Sequence, residues 1–380
     1  MKIASIETYF FEYPLEKEFH PAWIPGHAQT ANRCVILKLI SDDGIEGIAA
    51  ASVFNEDQAR LVKFIVENTI GMFLIGADPA AIELLADVVK LYGLMLGGRP
   101  WLVEVALWDM LGKAAGEPLY KHWGGTAERL ELYASTGEVA TPDHSPQMAL
   151  AARDAGFSAI KLRAHSWDYK DDIRAVEAVR DAVGDSMKIL VDANQGWTLS
   201  PIGPQWDFDT ALEFARAMSE LDVYWLEEPL DRFDFDGLRR LRDGADVRIA
   251  GGEMNQGYHE FTMMLEKDCL DVYQPDATLA GGVLMSRQVA AEAHAKGRLF
   301  SPHTWTTGLG FAVNMHIAAS VENCPILEYP WEPDSWNPQA RDGMLTEPFL
   351  AENGYVRLPT KPGLGVELSP DAMKDYAKRL

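Results

Sequence analysis

The sequence predicts an α/β protein: a modified (β/α)8 barrel of the TIM type, capped by an α+β domain. Two observations favour this fold class. From about residue 130, short apolar segments of β type alternate with amphipathic helical segments, a pattern typical of parallel strands joined by crossover helices. Eight strands and seven helices over roughly 215 residues suit a barrel, which usually takes about 250 residues.

The first segment, residues 1–125, is predicted to form the α+β capping domain. Residues 2–15 and 33–50 have the composition of antiparallel strands, and the second stretch is expected to turn at Asp42–Asp43–Gly44. Helices are expected over the stretches 56–70, 79–95 and 100–115. The tail, residues 345–380, is rich in glycine and proline, and we expect it to return to the capping domain because it is too irregular for another barrel repeat.

The barrel itself is predicted over residues 126–344. Its strands are expected at residues 131–137, 158–163, 188–194, 223–228, 248–253, 271–276, 299–303 and 326–329. The stretches between them carry apolar residues at helical spacing, and several end in glycine, which commonly terminates a helix. The competing layout is an open doubly wound sheet, which usually has a glycine-rich phosphate loop after its first strand, and none follows residues 131–137.

Composition limits the classes of function. The 380 residues are 47% hydrophobic and 24% charged, as in typical globular proteins, and no apolar run is long enough to span a bilayer. The formal net charge of −23 argues against nucleic acid or an anionic membrane as a partner. The N-terminus has no signal-like stretch and the three cysteines are widely spaced, so we expect a cytoplasmic chain with reduced thiols.

Polar residues stand at the carboxyl ends of the predicted barrel strands, and in a barrel these ends share the face that holds active sites. They are Lys161, Arg163, Asp192, Asn194, Glu227, Glu253, Asp276, His303 and Glu328. Asp192, Glu227 and Glu253 come from neighbouring strands, so they would converge and repel one another in a low-dielectric pocket. A hard divalent cation removes that repulsion, and oxygen-only ligation favours Mg²⁺, with Mn²⁺ as a substitute. Glu228 points the other way along its strand and is expected to be structural.

The sixth and seventh strands supply a candidate general base. Asp276 and His303 would be neighbours, and a carboxylate beside an imidazole fixes its tautomer and raises its basicity. This pair is expected on the side of the pocket away from the metal ligands. Glu328, from the last strand, could donate a hydrogen bond to an enolate oxygen if it is protonated.

Taken together, these motifs resemble those of the enolase superfamily, and within it the mandelate racemase / muconate lactonizing enzyme-like proteins. The matching stretches are KLR at 161–163, VDANQGW at 191–197, WLEEP at 225–229, GGE at 251–253, QPD at 274–276, SPH at 301–303 and LEY at 327–329. They cover the whole barrel, and the leading segment and returning tail match the capping domain of that family. Each motif alone is weakly specific, whereas the set is highly specific.

The resemblance implies a role for each metal-site and acid–base residue. Asp192, Glu227 and Glu253 would bind Mg²⁺, which would chelate a carboxylate of a small-molecule substrate. His303, oriented by Asp276, would act as base or acid at the α-carbon, and this dyad points to the mandelate racemase subgroup. Removing the α-proton creates a dianionic enolate, and positive charge that stabilises it as it develops lowers the barrier.

The resemblance also implies substrate contacts and assembly. Lys161 would contact the substrate carboxylate from the opposite side, and Glu328 matches the enolate-stabilising acid of the subgroup. Loops of the capping domain near residues 18–30 and 51–55 would supply specificity. The candidate substrate-binding residues are Asn194, His20, Trp23 and His27. Because the family is often dimeric to octameric, we expect a homo-oligomer.

One departure from the family pattern bears on the reaction. The second strand commonly carries Lys-x-Lys, with the second lysine as a base, and here that position is Arg163. A guanidinium is effectively always protonated and is a poor base, so His303 is the one conventional base. This favours syn-type dehydration of a sugar acid to a 2-keto-3-deoxy acid over the alternative, a racemase or epimerase with a proton acceptor on each face. A non-catalytic barrel is the third hypothesis, and the complete set of ligands argues against it.

Overall fold

The structure, a computed structural model, describes residues 1–96, 100–197 and 203–380. Its N-terminal part is built on a four-stranded antiparallel sheet. The strands are β1 (Ile3–Phe19), β2 (Gln29–Ser41), β3 (Glu46–Ser52) and, from the tail, β13 (Ala377–Arg379), in the order β13-β1-β2-β3. β2 and β3 form the predicted hairpin, and Gly44 has the positive φ of 86° that favours glycine in such a turn.

The helices of this part lie close to the predicted stretches. They are α1 (Glu56–Lys63), α2 (Gly71–Leu74), α3 (Ile82–Leu96), α4 (Trp101–Ala115) and α5 (Leu119–His122), with a π-helical segment, Phe64–Ile70, between α1 and α2. Asn55 caps α1 by accepting a hydrogen bond from the backbone N–H of Gln58 at 2.9 Å. Gly116 ends α4 in the left-handed conformation, which is a common helix terminator.

Eight parallel strands form the second sheet, and they follow one another around a barrel. They are β4 (Arg129–Ser135), β5 (Ala159–Arg163), β6 (Lys188–Asp192), β7 (Trp225–Glu227), β8 (Arg248–Gly251), β9 (Val272–Tyr273), β10 (Leu299–Phe300) and β11 (Leu327–Pro330). The pairing runs from β10 through β4 to β11. Between β10 and β11 the Ser301 hydroxyl donates to the Ile326 carbonyl at 2.8 Å, which bridges the remaining gap.

Helices connect and surround these strands, as the alternation in the sequence predicts. They are α6 (Ser145–Asp154), α7 (Tyr169–Val183), α8 (Phe208–Glu220), α9 (Phe235–Gly244), α10 (Gly257–Glu266), α11 (Gly282–Ala295) and α12 (Gly308–Ala318). Two further helices, α13 (Pro338–Asp342) and α14 (Pro370–Tyr376), follow the last barrel strand and contact β1 of the N-terminal sheet. A 3-10 turn, Gly184–Ser186, follows α7, and a π-helical segment, Ala277–Gly281, precedes α11. The predicted fold class, a modified (β/α)8 barrel with an α+β cap, is therefore confirmed.

Several strands end earlier than predicted, and proline or glycine accounts for three of these ends. Pro275 and Pro302 follow β9 and β10 closely, and a proline has no N–H to donate to the next ladder position. Gly252 follows β8 with φ +117°, a conformation that takes the chain out of the extended region. As a result, Glu253 and His303 lie in loops just beyond the strands.

The C-terminal tail contacts first the barrel and then the N-terminal sheet. Strand β12 (Tyr355–Arg357) pairs antiparallel with β4 of the barrel. Strand β13 joins the N-terminal sheet, where Tyr9 faces Arg379 and Phe11 faces Ala377, and Tyr376 of α14 lies 5.0 Å from Tyr13 between ring centroids. The tail therefore contacts both parts of the molecule. The boundaries between residues 125 and 126 and between 344 and 345 stay predictions.

Two buried carboxylates of α4 hold the cap against the rest of the chain. Glu104 accepts a hydrogen bond from the backbone N–H of Leu284 at 2.7 Å, at the start of α11, and Asp109 accepts one from Leu364 at 2.8 Å. Gly282 has φ +84°, and a Cβ there would lie 1.9 Å from Oε2 of Glu104. This close approach explains why glycine begins α11.

Candidate active site

Three buried carboxylates meet at the carboxyl end of the barrel, as the strand pattern predicts. One ligand oxygen from each of Asp192, Glu227 and Glu253 lies within 4.8 Å of the others. Asp192 and Glu227 end β6 and β7, and Glu253 follows β8 by two residues. Buried ligands that offer only oxygen fit a hard divalent cation, so this acidic triad can hold a metal ion.

Neighbouring side chains fix the orientation of these carboxylates. Glu227 accepts hydrogen bonds from Gln274 Nε2 at 2.9 Å and Trp225 Nε1 at 3.2 Å. Glu253 accepts one from Trp197 Nε1 at 3.0 Å. Such supporting hydrogen bonds orient ligand oxygens and tune metal affinity. Trp197, Trp225 and Gln274 were not predicted as site residues, although each lies inside one of the quoted motifs.

Lys161 lies beneath the carboxylates with no exposed surface. Its Nζ is 2.7 Å from Oε1 of Glu227 and 2.8 Å from Oε1 of Glu328, and 3.7 Å from Oδ2 of Asp192. Burial alone would lower the pKa of Lys161, but Glu227 and Glu328 outweigh it and raise the pKa. Lys161 is not among the residues that line the cavity between the triad and the cap, and its contact with a substrate carboxylate stays a prediction.

Arg163 does line that cavity, and its guanidinium is held on several sides. Nη1 pairs with Oδ2 of Asp192, and Nε donates to the Thr136 carbonyl at 2.6 Å. The guanidinium carbon lies 5.0 Å from the ring centroid of Trp23 and 5.7 Å from that of Trp305, within the range of cation–π attraction. Although burial opposes its charge, Asp192 and other carboxylates raise the pKa of Arg163. This residue is therefore a fixed cation.

Asp276 and His303 form the predicted pair. Nδ1 of His303 lies 3.0 Å from Oδ2 of Asp276, and Nε2 lies 3.4 Å from Oε2 of Glu253. Burial lowers the pKa of His303, but the carboxylates of Glu253, Glu328 and Asp276 outweigh burial and raise it to about 9. A cation held by the triad would offset the charge of Glu253 and bring this pKa down towards neutral pH.

Glu328 lies next to Lys161 and forms an ion pair with it. Besides that ion pair, it accepts hydrogen bonds from the Ser135 hydroxyl at 2.7 Å and the Thr304 backbone N–H at 2.6 Å. Burial raises its pKa, but Lys161, His303 and Arg163 outweigh burial and lower the pKa to about 2. In this arrangement Glu328 accepts hydrogen bonds, and its role as a donor to an enolate oxygen stays a prediction.

Glu228, adjacent to a triad ligand, is 3% exposed and has the left-handed φ of +46°. Neither of its carboxylate oxygens has a hydrogen-bond partner among the described residues. Burial, and then the charges of Glu253 and Asp192, raise its pKa well above the usual range. Gly196 makes room for it, because a Cβ there would lie 2.3 Å from Oε1 of Glu228. The role of Glu228, either structural or in support of the metal ligands, stays a prediction.

A cavity of about 210 Å³ lies between the triad and the cap. The barrel contributes Arg163, Glu253, His303 and Trp305, and the cap contributes Trp23 and Val53, among other residues. The cap segment before Trp23 is attached to the barrel, because the Ala22 N–H donates to the Gly137 carbonyl at 2.9 Å and the His20 N–H donates to Glu138 at 2.8 Å.

The structure brings some of the predicted substrate-binding residues to the cavity and not others. Trp23 lines it, as do Ser52, Val53 and Phe54 of the predicted loop near 51–55. His20 and His27 are both exposed, and neither side chain lines the cavity. Asn194 is buried, with its backbone N–H donating to Oδ1 of Asp192 at 2.9 Å, and it does not line the cavity.

An aromatic cluster beside Arg163 was not predicted. Phe19 stacks on Trp305 with ring centroids 5.3 Å apart, and Trp336 lies 5.4 Å from Phe19. Trp305 also donates to the Ser135 hydroxyl at 2.8 Å. Trp305 follows the SPH motif by two residues and could have been found from it, whereas Phe19 and Trp336 are brought there only by the fold.

Both parts of the chain match known protein families. Residues 5–124 match the family model of the mandelate racemase / muconate lactonizing enzyme N-terminal domain, and residues 146–372 match that of the enolase C-terminal domain-like family. The chain therefore belongs to the enolase superfamily, among its mandelate racemase / muconate lactonizing enzyme-like members, as the resemblance predicts. It is an enzyme whose relatives include both lyases and isomerases.

Three relatives illustrate that range. The chain is 29% identical to D-galactarolactone cycloisomerase of Agrobacterium fabrum, with 99% of both chains covered. It is 30% identical to L-talarate/galactarate dehydratase of Salmonella typhimurium, covering 90% of this chain and 81% of the relative. The crystal structure of a racemase from Streptomyces coelicolor A3(2) with bound magnesium is 27% identical, with a TM-score of 0.84 over 99% of this chain and all of that one.

None of the helices in the described part of the chain combines the length and the apolarity needed to cross a membrane.

Proposed function

We propose that the protein is a Mg²⁺-dependent dehydratase that converts a sugar acid to a 2-keto-3-deoxy acid. The observation that carries this proposal is that the cavity is lined by one imidazole base, His303, and by a guanidinium, Arg163, where a second base would stand. Because Arg163 is paired with Asp192 and stacked on aromatic rings, it can bind an anion but cannot accept a proton.

Asp192, Glu227 and Glu253 would hold the Mg²⁺ ion, and Mn²⁺ could substitute for it. When bound, the ion supplies a Lewis acid that stabilises negative charge on a substrate carboxylate. Lys161 adds a buried positive charge beneath the carboxylates, and in an arrangement with substrate it would face the developing enolate. The hydrogen bonds to Glu227 and Glu253 would keep the ligand oxygens in place.

His303 would move the protons. Since Nδ1 is bonded to Asp276, Nε2, which faces Glu253 of the triad, is the nitrogen that would remove the α-proton. The same nitrogen would return that proton to the β-hydroxyl, which leaves as water and takes with it the electrons of the C–O bond. The resulting enol then tautomerises to the 2-keto-3-deoxy acid, so the reaction removes one molecule of water in total.

The rival function is a racemase or epimerase that uses the same enolate, and the similarity to a racemase structure supports it. The two functions differ in the step after proton removal. In D₂O, a racemase would introduce deuterium at the α-carbon with inversion and would form no keto acid. A dehydratase would form the 2-keto acid.

The test is a screen of mono- and diacid sugars with Mg²⁺, with 2-keto acid formation as the readout. The His303→Asn variant should lose about 100- to 10,000-fold in rate, and removal of the metal by a chelator should abolish turnover. His294→Asn is the matched control, because His294 is exposed on α11 and should retain activity. Undiminished turnover by His303→Asn would show that His303 is not the base, and a wild type that turns over no acid in the screen would support the non-catalytic barrel.

Other expectations about the protein belong to the same proposal. Trp23 would contact the substrate, and the roles predicted for Asn194 and His20 stay predictions. The partner is a small-molecule carboxylate of the sugar-acid class. A cytoplasmic location is also proposed here, on the spacing of the three cysteines, and a homo-oligomeric state, from dimer to octamer, on the family resemblance alone.

A further inference from the structure

The cavity between the triad and the cap carries positive charge on both of its sides. The barrel lines it with Arg163 and His303, and the cap lines it with Arg33 of β2. Among the described residues around it, Glu253 is the one carboxylate, and that carboxylate belongs to the triad. The chain as a whole has a formal net charge of −23, so the cavity is opposite in sign to its surroundings once a cation is bound. Such a cavity attracts anions.

Arg33 has N–H groups that the protein does not use. Its Nε donates to Oε2 of Glu12 at 2.5 Å, and its Nη2 lies 3.5 Å from the Thr30 hydroxyl. No residue that the structure describes accepts a hydrogen bond from Nη1. Glu12 is not part of the cavity lining, and 47% of its side chain is exposed, so solvent screens its attraction for the guanidinium. A guanidinium has five N–H donors, and those left over can bind a ligand.

Gln58, in the first turn of α1, supplies a second donor on the cap side. Its Oε1 accepts the backbone N–H of Phe54 at 2.8 Å, and this bond fixes which end of the amide is the oxygen. Its NH2 group has no acceptor within the described ranges of the chain. Asn32 lines the cavity too, but its Nδ2 is committed to the Ala340 carbonyl at 2.8 Å. Arg33 and Gln58 therefore offer donors alone, which suits a carboxylate because its oxygens only accept.

We propose that Arg33 and Gln58 bind a second carboxylate of the substrate, which makes the substrate a sugar diacid. The first carboxylate would lie at the metal ion with its α-carbon beside His303, and the second would lie against the cap. Gln29 and Ser52 also line the cap side, and since their side chains both donate and accept, they suit the hydroxyl groups between the two carboxylates. The inference rests on the proposed function for the position of the first carboxylate.

The competing explanation is that Arg33 has only a structural role. Arg33 and Glu12 are directly opposite each other in the β1–β2 ladder, and opposite charges at such positions stabilise a sheet. A purely structural arginine would have no effect on which acid the protein binds. The two explanations therefore differ in the affinity for the far end of a substrate, which can be measured.

The kinetic test uses pairs of acids that differ only at the far end: the five- and six-carbon sugar diacids, each with the monoacid of the same configuration. With Mg²⁺, kcat/KM should be at least about 10-fold higher for the best diacid than for its monoacid. Arg33→Ala should lower that ratio about 10- to 100-fold, because a charge-assisted hydrogen bond is lost. Arg216→Ala is the matched control: Arg216 is exposed on α8, and the ratio should not change.

Binding separates a failure of this inference from a failure of the proposed function. In a His303→Asn variant loaded with Mg²⁺, calorimetry should show the diacid binding at least about 10-fold more tightly than the monoacid. Adding Arg33→Ala should remove that preference, and adding Glu12→Gln should keep it, because glutamine can still accept the hydrogen bond from Nε. Circular dichroism should show that every variant is folded.

A diacid that binds with this preference but is never converted would contradict the proposed dehydratase and leave the second carboxylate site supported. Dehydration of monoacids at rates equal to or above those of the diacids would do the reverse. Equal affinities for the two acids, binding of neither, or a preference that survives Arg33→Ala would overturn the inference.

Discussion

At the scale of single residues, Arg163 combines contacts that a lysine would not reproduce. Its planar guanidinium pairs with Asp192, donates to the Thr136 carbonyl and lies within cation–π range of Trp23 and Trp305. A lysine has a compact ammonium that cannot reproduce the paired hydrogen bonds of the planar guanidinium or its contact with the aromatic rings. It also loses its proton far more readily. The identity of this one residue therefore decides how many proton acceptors the cavity has.

Arg163→Lys should change the balance between elimination and exchange. We expect dehydration to fall at least about 10-fold, because the cation is no longer held in place. The new amine should at the same time permit deuterium exchange at the α-carbon with inversion. Proton NMR of an enantiopure substrate in D₂O measures both outcomes, with the exposed Arg216→Lys as control. Unchanged dehydration in the variant would show that the guanidinium is not required.

At the scale of elements, the contact between α4 and α11 carries a pH dependence. Burial raises the pKa of Glu104 to about 7 from an ordinary value of 4.5, although the N–H of Leu284 partly opposes the rise. The folded protein therefore holds this proton more tightly than the unfolded chain. Stability from Glu104 is complete below the unfolded pKa and is lost as pH rises through about 7.

The Glu104→Gln variant should not show this loss of stability as the pH rises. Between pH 5.5 and 8 the wild type should lose about 2 kcal/mol of unfolding free energy more than the variant does. Urea unfolding at the two pH values, with a chelator present to exclude metal effects, measures the difference. The exposed Glu220→Gln variant is the matched control. Equal slopes for wild type and Glu104→Gln would mean that Glu104 is ionised in the folded protein at both pH values.

The secondary-structure elements also show which parts of the fold and the site could be predicted from the sequence. The strand order and the triad were predictable, because period-two alternation and the common direction of parallel strands place Asp192, Glu227 and Glu253 together. The early strand ends at Pro275 and Pro302 could have been anticipated from proline alone. The aromatic cluster could not, because it joins side chains some 300 residues apart through packing that leaves no local pattern.

Electrostatics inside the site was equally hard to predict. The sequence placed Glu328 on a strand end but gave no sign that Lys161 would sit within 2.8 Å of it. Several carboxylates lie near Lys161, and the directions of the side chains inside the barrel determine which of them it pairs with. Those directions, and not the residue types, make Glu328 the partner of Lys161.

At the scale of the whole molecule, the N-terminal sheet and the barrel depend on each other. Strand β13 joins β1 across the entire barrel sequence, and the backbone N–H of Leu380 donates to the Thr8 carbonyl at 3.0 Å. The sheet is complete only when the barrel has brought both ends of the chain together. We therefore expect cap and barrel to unfold in one cooperative transition.

Removal of residues 377–380 should lower the unfolding free energy by roughly 1–3 kcal/mol, because β1 loses its ladder partner on one edge. Calorimetry should still show a single transition. Arg379→Ala is the matched control: its ion pair with Glu7 is at the surface and should contribute less than about 1 kcal/mol. Two separate transitions in the intact chain would contradict this account of cooperativity.

The attachment of the Trp23 segment to the barrel has a kinetic consequence. The hydrogen bonds from Ala22 to Gly137 and from His20 to Glu138 hold the cap segment against the barrel beside the cavity. We predict that product leaves when these bonds break, in which case the rate of their opening sets an upper limit on how often each catalytic cycle can repeat.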